Sequence, residues 1–277
     1  MCEELIQRVR DIEKNTYRTV NNGQYFVKGI GNLVRVTSVL NAVNFDNGSL
    51  EKWKKKQAIA SFKESIPLTG TVSARDAHVA FGKALEAGDT FASNAANFGT
   101  MVHSWLETYA LTSKFPSIEL DPYSPDYKIF QSVRKFVSDF GIGTSAVKII
   151  KPELFVYHTL GYAGTADLVA WRNGKVYLID YKATNSLKMK YLLQLAAYTA
   201  ALKELYGLDV FKAILIRFDK ATGDYERVPV SAEQLDVYFM MFKACLMFYR
   251  FIQNPTFSPV SSLNCQERLD FVTRGLI

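Results

Sequence analysis

The spacing of apolar residues changes along the chain. Up to about residue 140 it is mostly helical, and beyond that it alternates or runs together as in strands. Residues 3–15 read as a short amphipathic helix. The segment NNGQYFVKGIGNLVRVTSVL opens on an Asn-Gly turn signal and predicts a short hairpin, with Thr37 or Ser38 capping a following helix. A helix capped by Ser49 places Leu50, Trp53 and Ala60 on one side. Ser73–Ala110 is alanine-rich and helical in pattern, and the proline-containing loop KFPSIELDPYSPD separates it from a helix over Tyr127–Phe140. Three strands follow, ELFVYH, GYAGTADLVAWR and KVYLIDYKA, with Asn173-Gly174 marking a hairpin. A helix over Tyr191–Leu205 precedes FKAILIRFD and DYERVPVS, a second hairpin around KATG, and an aromatic-rich helix over Glu233–Ile252 closes the pattern. A helical front, then β-β-β-α-β-β and a last helix, predicts α/β or α+β architecture with a mixed sheet in one compact unit.

Composition narrows the class. Of the 277 residues 48% are hydrophobic and 22% charged, which suits a globular protein with an ample core. No apolar run approaches the ~20 residues of a membrane span, so no membrane partner is expected. The N-terminus lacks a signal-peptide core, which predicts an intracellular, cytoplasmic protein. Cys2, Cys245 and Cys265 are odd in number and far apart, so they read as buried or incidental thiols. The net charge of +6 leans towards an acidic partner such as nucleic acid. No phosphate-binding Gly-x-x-x-x-Gly-Lys-Ser/Thr loop is present, and ATP is not implied.

The strand Val176–Ala183 ends in an acid and a base. Alternation puts Asp180 and Lys182 on one face, with Ile179 and Tyr181 on the other. Counting out from Asn173-Gly174, 173 − 167 and 180 − 174 are both 6, so the hairpin sets Asp167 against Asp180. Two opposed carboxylates repel. Lys182 offsets part of this, and a divalent ion such as Mg²⁺ would offset it better. Spacing alone equally allows two surface carboxylates neutralised by one lysine.

Helices add further polar groups. FGTMVHSWLET carries Gly99, His103 and Glu107 at i, i+4 and i+8 on one face, and Phe98, Val102, Trp105 and Leu106 on the apolar side. A glycine there allows close approach of backbone or substrate, although a lone helical histidine is also a common structural residue. In YLLQLAAYTAAL, Gln194 and Tyr198 stand one turn apart among leucines and alanines. They either cap a core edge or orient a ligand. Lys52, Lys55, Lys56 and Lys63 form a stripe at i, i+3, i+4 and i+11, with Trp53 turned away as a core residue. That stripe is either a solvated face or a track along DNA phosphates.

The ordered set, G-x-x-G-x-x-D ending at Asp167, apolar-Ile-Asp-Tyr-Lys ending at Lys182, Gln194-x-x-x-Tyr198 and a preceding helix with His103, resembles the PD-(D/E)XK nuclease superfamily. The RecB-like exonucleases, including the mitochondrial genome maintenance exonuclease and related phage proteins, are the nearest branch. The motif block covers about Gly99 to Ala201, and VRVTSVL and LEKW extend a looser likeness into the front. Ala166 stands where the family name has proline. The resemblance implies a restriction-endonuclease-like core with a mixed central sheet flanked by helices. It implies a single nuclease domain over 1–277, mostly helical over 1–90, with the core at 91–230 and a C-terminal helix and tail at 231–277. The implied activity is an Mg²⁺- or Mn²⁺-dependent DNA exonuclease favouring single strands or ends, in repair or recombination of a bacterial or phage-infected cell. Asp167, Asp180, the Tyr181 carbonyl and His103 would hold the metal. Lys182 would position or activate water and stabilise charge on the phosphate, and Gln194 and Tyr198 would steady Lys182 and the DNA backbone. Glu153 matches an acidic position on the first strand, and Glu107 is a further candidate. Some relatives carry an iron–sulfur cluster on four cysteines, and three cysteines do not suffice. The rival readings are a restriction-like or structure-specific endonuclease with the same core, and a DNA-binding module that has lost catalysis. The intact Asp167, Asp180 and Lys182 disfavour the last.

Overall fold

Among the described residues, eight strands form one mixed sheet: β1 (Arg18–Asn21), β2 (Gln24–Val27), β3 (Gly31–Arg35), β4 (Val147–His158), β5 (Tyr162–Arg172), β6 (Lys175–Lys182), β7 (Val210–Phe218) and β8 (Tyr225–Val230). The helices are α1 (Cys2–Asn15), α2 (Val36–Ala42), α3 (Ser49–Ser65), α4 (Ala74–Thr112), α5 (Pro125–Phe140), α6 (Met189–Tyr206) and α7 (Ala232–Gln253). This computed structural model describes residues 2–253 apart from 22, 23, 44, 46–48, 67–71, 185, 220 and 221. Cys265 therefore lies outside the described residues, as do the Asn22-Gly23 turn and the side chain of Leu50. Two compact units make up the chain, Met1–Phe45 with His103–Ile277, and Asp46–Val102. Among the described residues no helix is long and apolar enough to cross a membrane.

Local sequence sets many of the boundaries. Ser73 caps α4, its hydroxyl accepting from the Asp76 N–H at 3.1 Å and donating to the Asp76 carboxylate at 2.6 Å. Ser124 caps α5, with Pro125 in its first turn and Gly141 left-handed at φ 81° after its end. Asn173 and Gly174, at φ 51° and 78°, make the tight turn between β5 and β6.

Several boundaries differ from the sequence expectation. The front forms two hairpins instead of one, because β1 also pairs with β2. Arg35, not Thr37 or Ser38, occupies the cap position of α2 and makes no side-chain cap bond. The first long strand begins at Val147, six residues before the predicted ELFVYH. Pro152 suggests a break there. It is tolerated in β4, an edge strand that among the described residues pairs only with β5. In the Asp46–Val102 unit, Trp53 is half-buried and Ala60 exposed, so that side of α3 is not a closed core. An ion pair of 2.8 Å between Lys54 and Asp89 joins α3 to α4.

Within the larger unit, one sheet face carries α1, α2, α6 and α7. Val9, Val39, Leu193, Ala197 and Phe242 bury against Leu154, Val156, Leu178 and Leu215. The other face carries α5, where Phe136 stands edge-on to Tyr181 and Phe218 and Phe140 stands edge-on to Tyr177. Each such side chain taken from water contributes about 1.5–3 kcal/mol before entropy is counted.

The sheet has an opening along β5. β4 follows one edge of β5 along almost its whole length. On the opposite edge, β3 runs parallel beside Tyr162 and Ala163, and β6 runs antiparallel beside Leu168–Arg172. Between them, positions 164–167 have no strand partner on that edge. α6 covers the opening, and the Tyr198 ring lies directly over Gly164. A Cβ added there would come within 2.5 Å of that ring. Gly164→Ala is therefore expected to destabilise the fold by about 1–3 kcal/mol through overpacking. Shortening Tyr198 to Ala in the same chain should cancel much of this increment, and denaturant melts of the double-mutant cycle measure the coupling.

Candidate active site

The register of the β5–β6 hairpin agrees with the count from its turn. The ladder runs from Arg172↔Lys175 to Leu168↔Ile179, and one further step opposes Asp167 and Asp180. There the strands part. The Asp167 carboxylate takes over the next bond, accepting from the Tyr181 N–H at 2.7 Å. On its other side Asp167 is bracketed by β4, where Pro152↔Leu168 and Leu154↔Ala166 flank position Glu153. Glu153 adopts a left-handed φ of 47°, sparsely populated for a glutamate, which interrupts the regular pleat. Glu153, Asp167 and Asp180 thus stand in a row across three neighbouring strands.

His103 reaches this row from α4. Its Nδ1 lies 3.7 Å from Asp167 Oδ1 and 3.8 Å from Glu153 Oε1, and its Nε2 lies 3.2 Å from the Tyr181 carbonyl. Ligand atoms of His103, Glu153 and Asp167 all fall within 4.8 Å of one another. Burial opposes charge on the imidazole, but the Asp167 carboxylate and the neighbouring Glu153 carboxylate outweigh it and raise its pKa to about 9. Val102, Trp105 and Leu106 are buried, the apolar side predicted for this helix. Glu107, one turn further on, is half-buried and outside the group.

Asp180 and Lys182 share the face of β6 that looks towards α6, as alternation predicts. Asp180 is 0% exposed and in ion-pair contact with the Lys182 ammonium. Neither of its oxygens otherwise accepts a hydrogen bond. Burial pushes its carboxyl up to about 6, partly countered by Lys182 and reinforced by Asp167. Burial pulls Lys182 down, yet Asp180 and Asp167 more than compensate and keep it an ammonium.

α6 closes the site from above. Gln194 Nε2 donates to Tyr198 Oη at 3.2 Å, both side chains being buried. Burial, then the nearby Asp180 and Asp167 charges, hold the Tyr198 hydroxyl protonated far above its ordinary range. A residue the sequence reading passed over joins them. The Tyr191 ring lies 5.2 Å from Lys182 Nζ, close enough for a cation–π contact. Tyr191, Gln194 and Tyr198 fall at i, i+3 and i+7, a polar-aromatic stripe on a Leu/Ala helix that would have revealed it. In the other unit, Lys52, Lys55, Lys56 and Lys63 are all exposed on α3.

Two carboxylates and an imidazole within 4.8 Å form an oxygen-rich donor set of the kind that suits Mg²⁺ or Mn²⁺. The buried Asp180, whose carboxylate has the Lys182 ammonium beside it and no other hydrogen-bond donor, fits a cation as well. The model of the PD-(D/E)XK nuclease superfamily matches residues 126–267, a little more than half of the chain. No curated protein matches it. The matched segment runs from within α5 through α7 and contains Glu153, Asp167, Asp180 and Lys182, so its core is restriction-endonuclease-like and a nuclease function in general follows. By this match the chain belongs to the PD-(D/E)XK nuclease superfamily.

Proposed function

We propose that the chain is a divalent-metal-dependent DNA exonuclease of the RecB-like branch, acting on single strands or DNA ends. The observation that carries this reading is the convergence of His103, Glu153 and Asp167 beside the buried Asp180–Lys182 pair, at the opening between β5 and β6. In this reading Glu153, Asp167 and His103 Nδ1 hold Mg²⁺ or Mn²⁺, and Asp180 adds a carboxylate from the α6 side. The Tyr181 carbonyl accepts from His103 Nε2–H, which fixes the tautomer that leaves Nδ1 free as a ligand. Such an ion, when bound, stabilises charge on the phosphate and makes water nucleophilic near neutral pH.

The protein's own groups supply the rest. Lys182 remains charged in a buried site, where it orients the attacking water and stabilises charge developing on the phosphate. Asp180 holds that ammonium in place, and the Tyr191 ring lies beside it. Tyr198 stays a hydroxyl donor at all accessible pH and, steadied by Gln194, is aimed at the phosphate backbone. The exposed Lys52, Lys55, Lys56 and Lys63 of the other unit contact DNA phosphates without reading sequence.

Three measurements test this. Asp167→Asn and Lys182→Ala should each lower cleavage of end-labelled DNA in Mg²⁺ or Mn²⁺ by orders of magnitude while the protein stays folded. Circular single strands should survive where linear ones are digested, and degraded circles would make the enzyme an endonuclease. Replacing Lys52, Lys55 and Lys56 together by Ala should weaken binding alike on all sequences and flatten the log–log salt dependence by about 0.7 per lost single-strand contact.

A fourth measurement uses the metal-free protein. His103 has a folded pKa of about 9 against 6.5 unfolded. The stability it contributes is fully present below pH 6.5 and is lost as pH rises through about 9. Melting temperatures in EDTA should therefore fall over that window, and His103→Gln should remove this part of the slope. The same proton competes with the metal, so apparent metal affinity should climb as pH rises over the window.

A further inference from the structure

We propose that Arg35 is a phosphate anchor for the DNA strand at the opening in the sheet, a positioning residue that rests on the nuclease reading above. Arg35 is the last residue of β3 and pairs with Ala163 of β5, immediately before the unpaired positions 164–167. At about 3.3 Å per residue, that pairing lies about 13 Å along β5 from Asp167, within reach of a phosphate neighbouring the scissile one.

Its environment is unusual for an arginine. The guanidinium lies over the Tyr25 ring, 5.3 Å from its centre, and the side chain is half-buried. Its Nε is shut off from water and has no hydrogen-bond partner. No carboxylate is paired with it among the described residues. A donor buried without a partner is costly, and a ligand that accepts from the guanidinium would offset that cost. By contrast Arg217, at the far end of the sheet, is pinned by Glu226 at 2.8 Å and Asp219 at 3.0 Å.

An arginine that is positioned by a ring, left without a counter-ion and set beside a nuclease opening matches one ligand chemistry. Its planar fork suits the paired oxygens of a phosphate. The Tyr25 shelf also borders the catalytic groups, because Tyr25 packs against the cluster of Phe155 and Ala163, and Ala163 directly precedes Gly164, over which the Tyr198 ring lies. Arg35 would hold the strand by its backbone while Tyr198 and Lys182 meet the phosphate to be cut. Phosphate grip of this kind fixes position and carries no sequence preference.

The test compares wild-type protein with Arg35→Gln and Arg35→Lys, using DNA binding by fluorescence anisotropy in EDTA and cleavage kinetics with Mn²⁺. Arg35→Gln should raise Kd and KM about tenfold or more, leave kcat at saturating DNA within about twofold, and flatten the single-strand salt slope by about 0.7. Arg35→Lys should restore the slope but only part of the affinity, since it keeps the charge and loses the fork. Tyr25→Leu should weaken binding and Tyr25→Phe should not, which tests the shelf should Arg35→Gln fail to fold. Oligonucleotides ending in 5′-phosphate or 5′-hydroxyl separate the two sources of phosphate. A loss confined to the phosphorylated ends assigns Arg35 to a terminal phosphate, and an equal loss on both assigns it to an internal phosphodiester. A folded Arg35→Gln with wild-type Kd, KM and salt slope would overturn the inference. A wild-type protein that binds DNA in an Arg35-dependent way but never cleaves it would overturn the nuclease reading instead.

Discussion

Glu153, Asp167 and Asp180 stand side by side on β4, β5 and β6, and their mutual repulsion is the constraint around which the centre of the molecule is arranged. In a continuous sheet three adjacent acids would face one another out of water, where like charges are most costly. The sheet answers by separating β5 from β6 at that level. The Asp167 carboxylate takes the Tyr181 N–H that the ladder gives up, so that donor is not orphaned.

Two cations enter from opposite directions. Lys182 comes from the same strand as Asp180 and lies on the α6 side, while His103 comes from α4 and touches Asp167 and Glu153. Both are raised by the acids they neutralise, against the pull of burial. Each acid–cation contact is therefore strong, and each would be expensive to break one-sidedly. The surrounding packing keeps the arrangement from relaxing. Phe136 and Phe218 hold the Tyr181 ring on one face, and the Gln194–Tyr198 bond sits over Gly164 on the other. A metal ion would enter a site whose donors are already oriented, which is what fast chemistry on a phosphate needs.

The family-model match and the geometry speak to different parts of the molecule. The match begins at Asp126 and so covers the strands that carry the acids and Lys182. His103 and Arg35 lie before it, and only the fold brings them to that sheet. Both residues thus come from the front of the chain, outside the matched segment.

Much of this was determined by sequence alone. The Asn173-Gly174 turn fixes the hairpin, so the opposition of Asp167 and Asp180 follows from counting, and period-2 alternation puts Asp180 and Lys182 together. The Ser-Pro and Gly signals around α5 and the i, i+4 spacing of Gln194 and Tyr198 are likewise local. These features span a few residues, and dihedral preference or strand pleating settles them. Other features depend on contacts between distant segments. Glu153 joins the site only because β4 pairs with β5, and its left-handed φ has no sequence signature in a glutamate. Pro152 hid the first half of β4, since its tolerance depends on β4 having no partner on its outer edge. The Tyr181 carbonyl turns to His103 from 78 residues away. Burial raises the Asp180 carboxyl and opposes the acids that keep Lys182 charged, and burial is a property of everything packed around them, which no short stretch of sequence encodes.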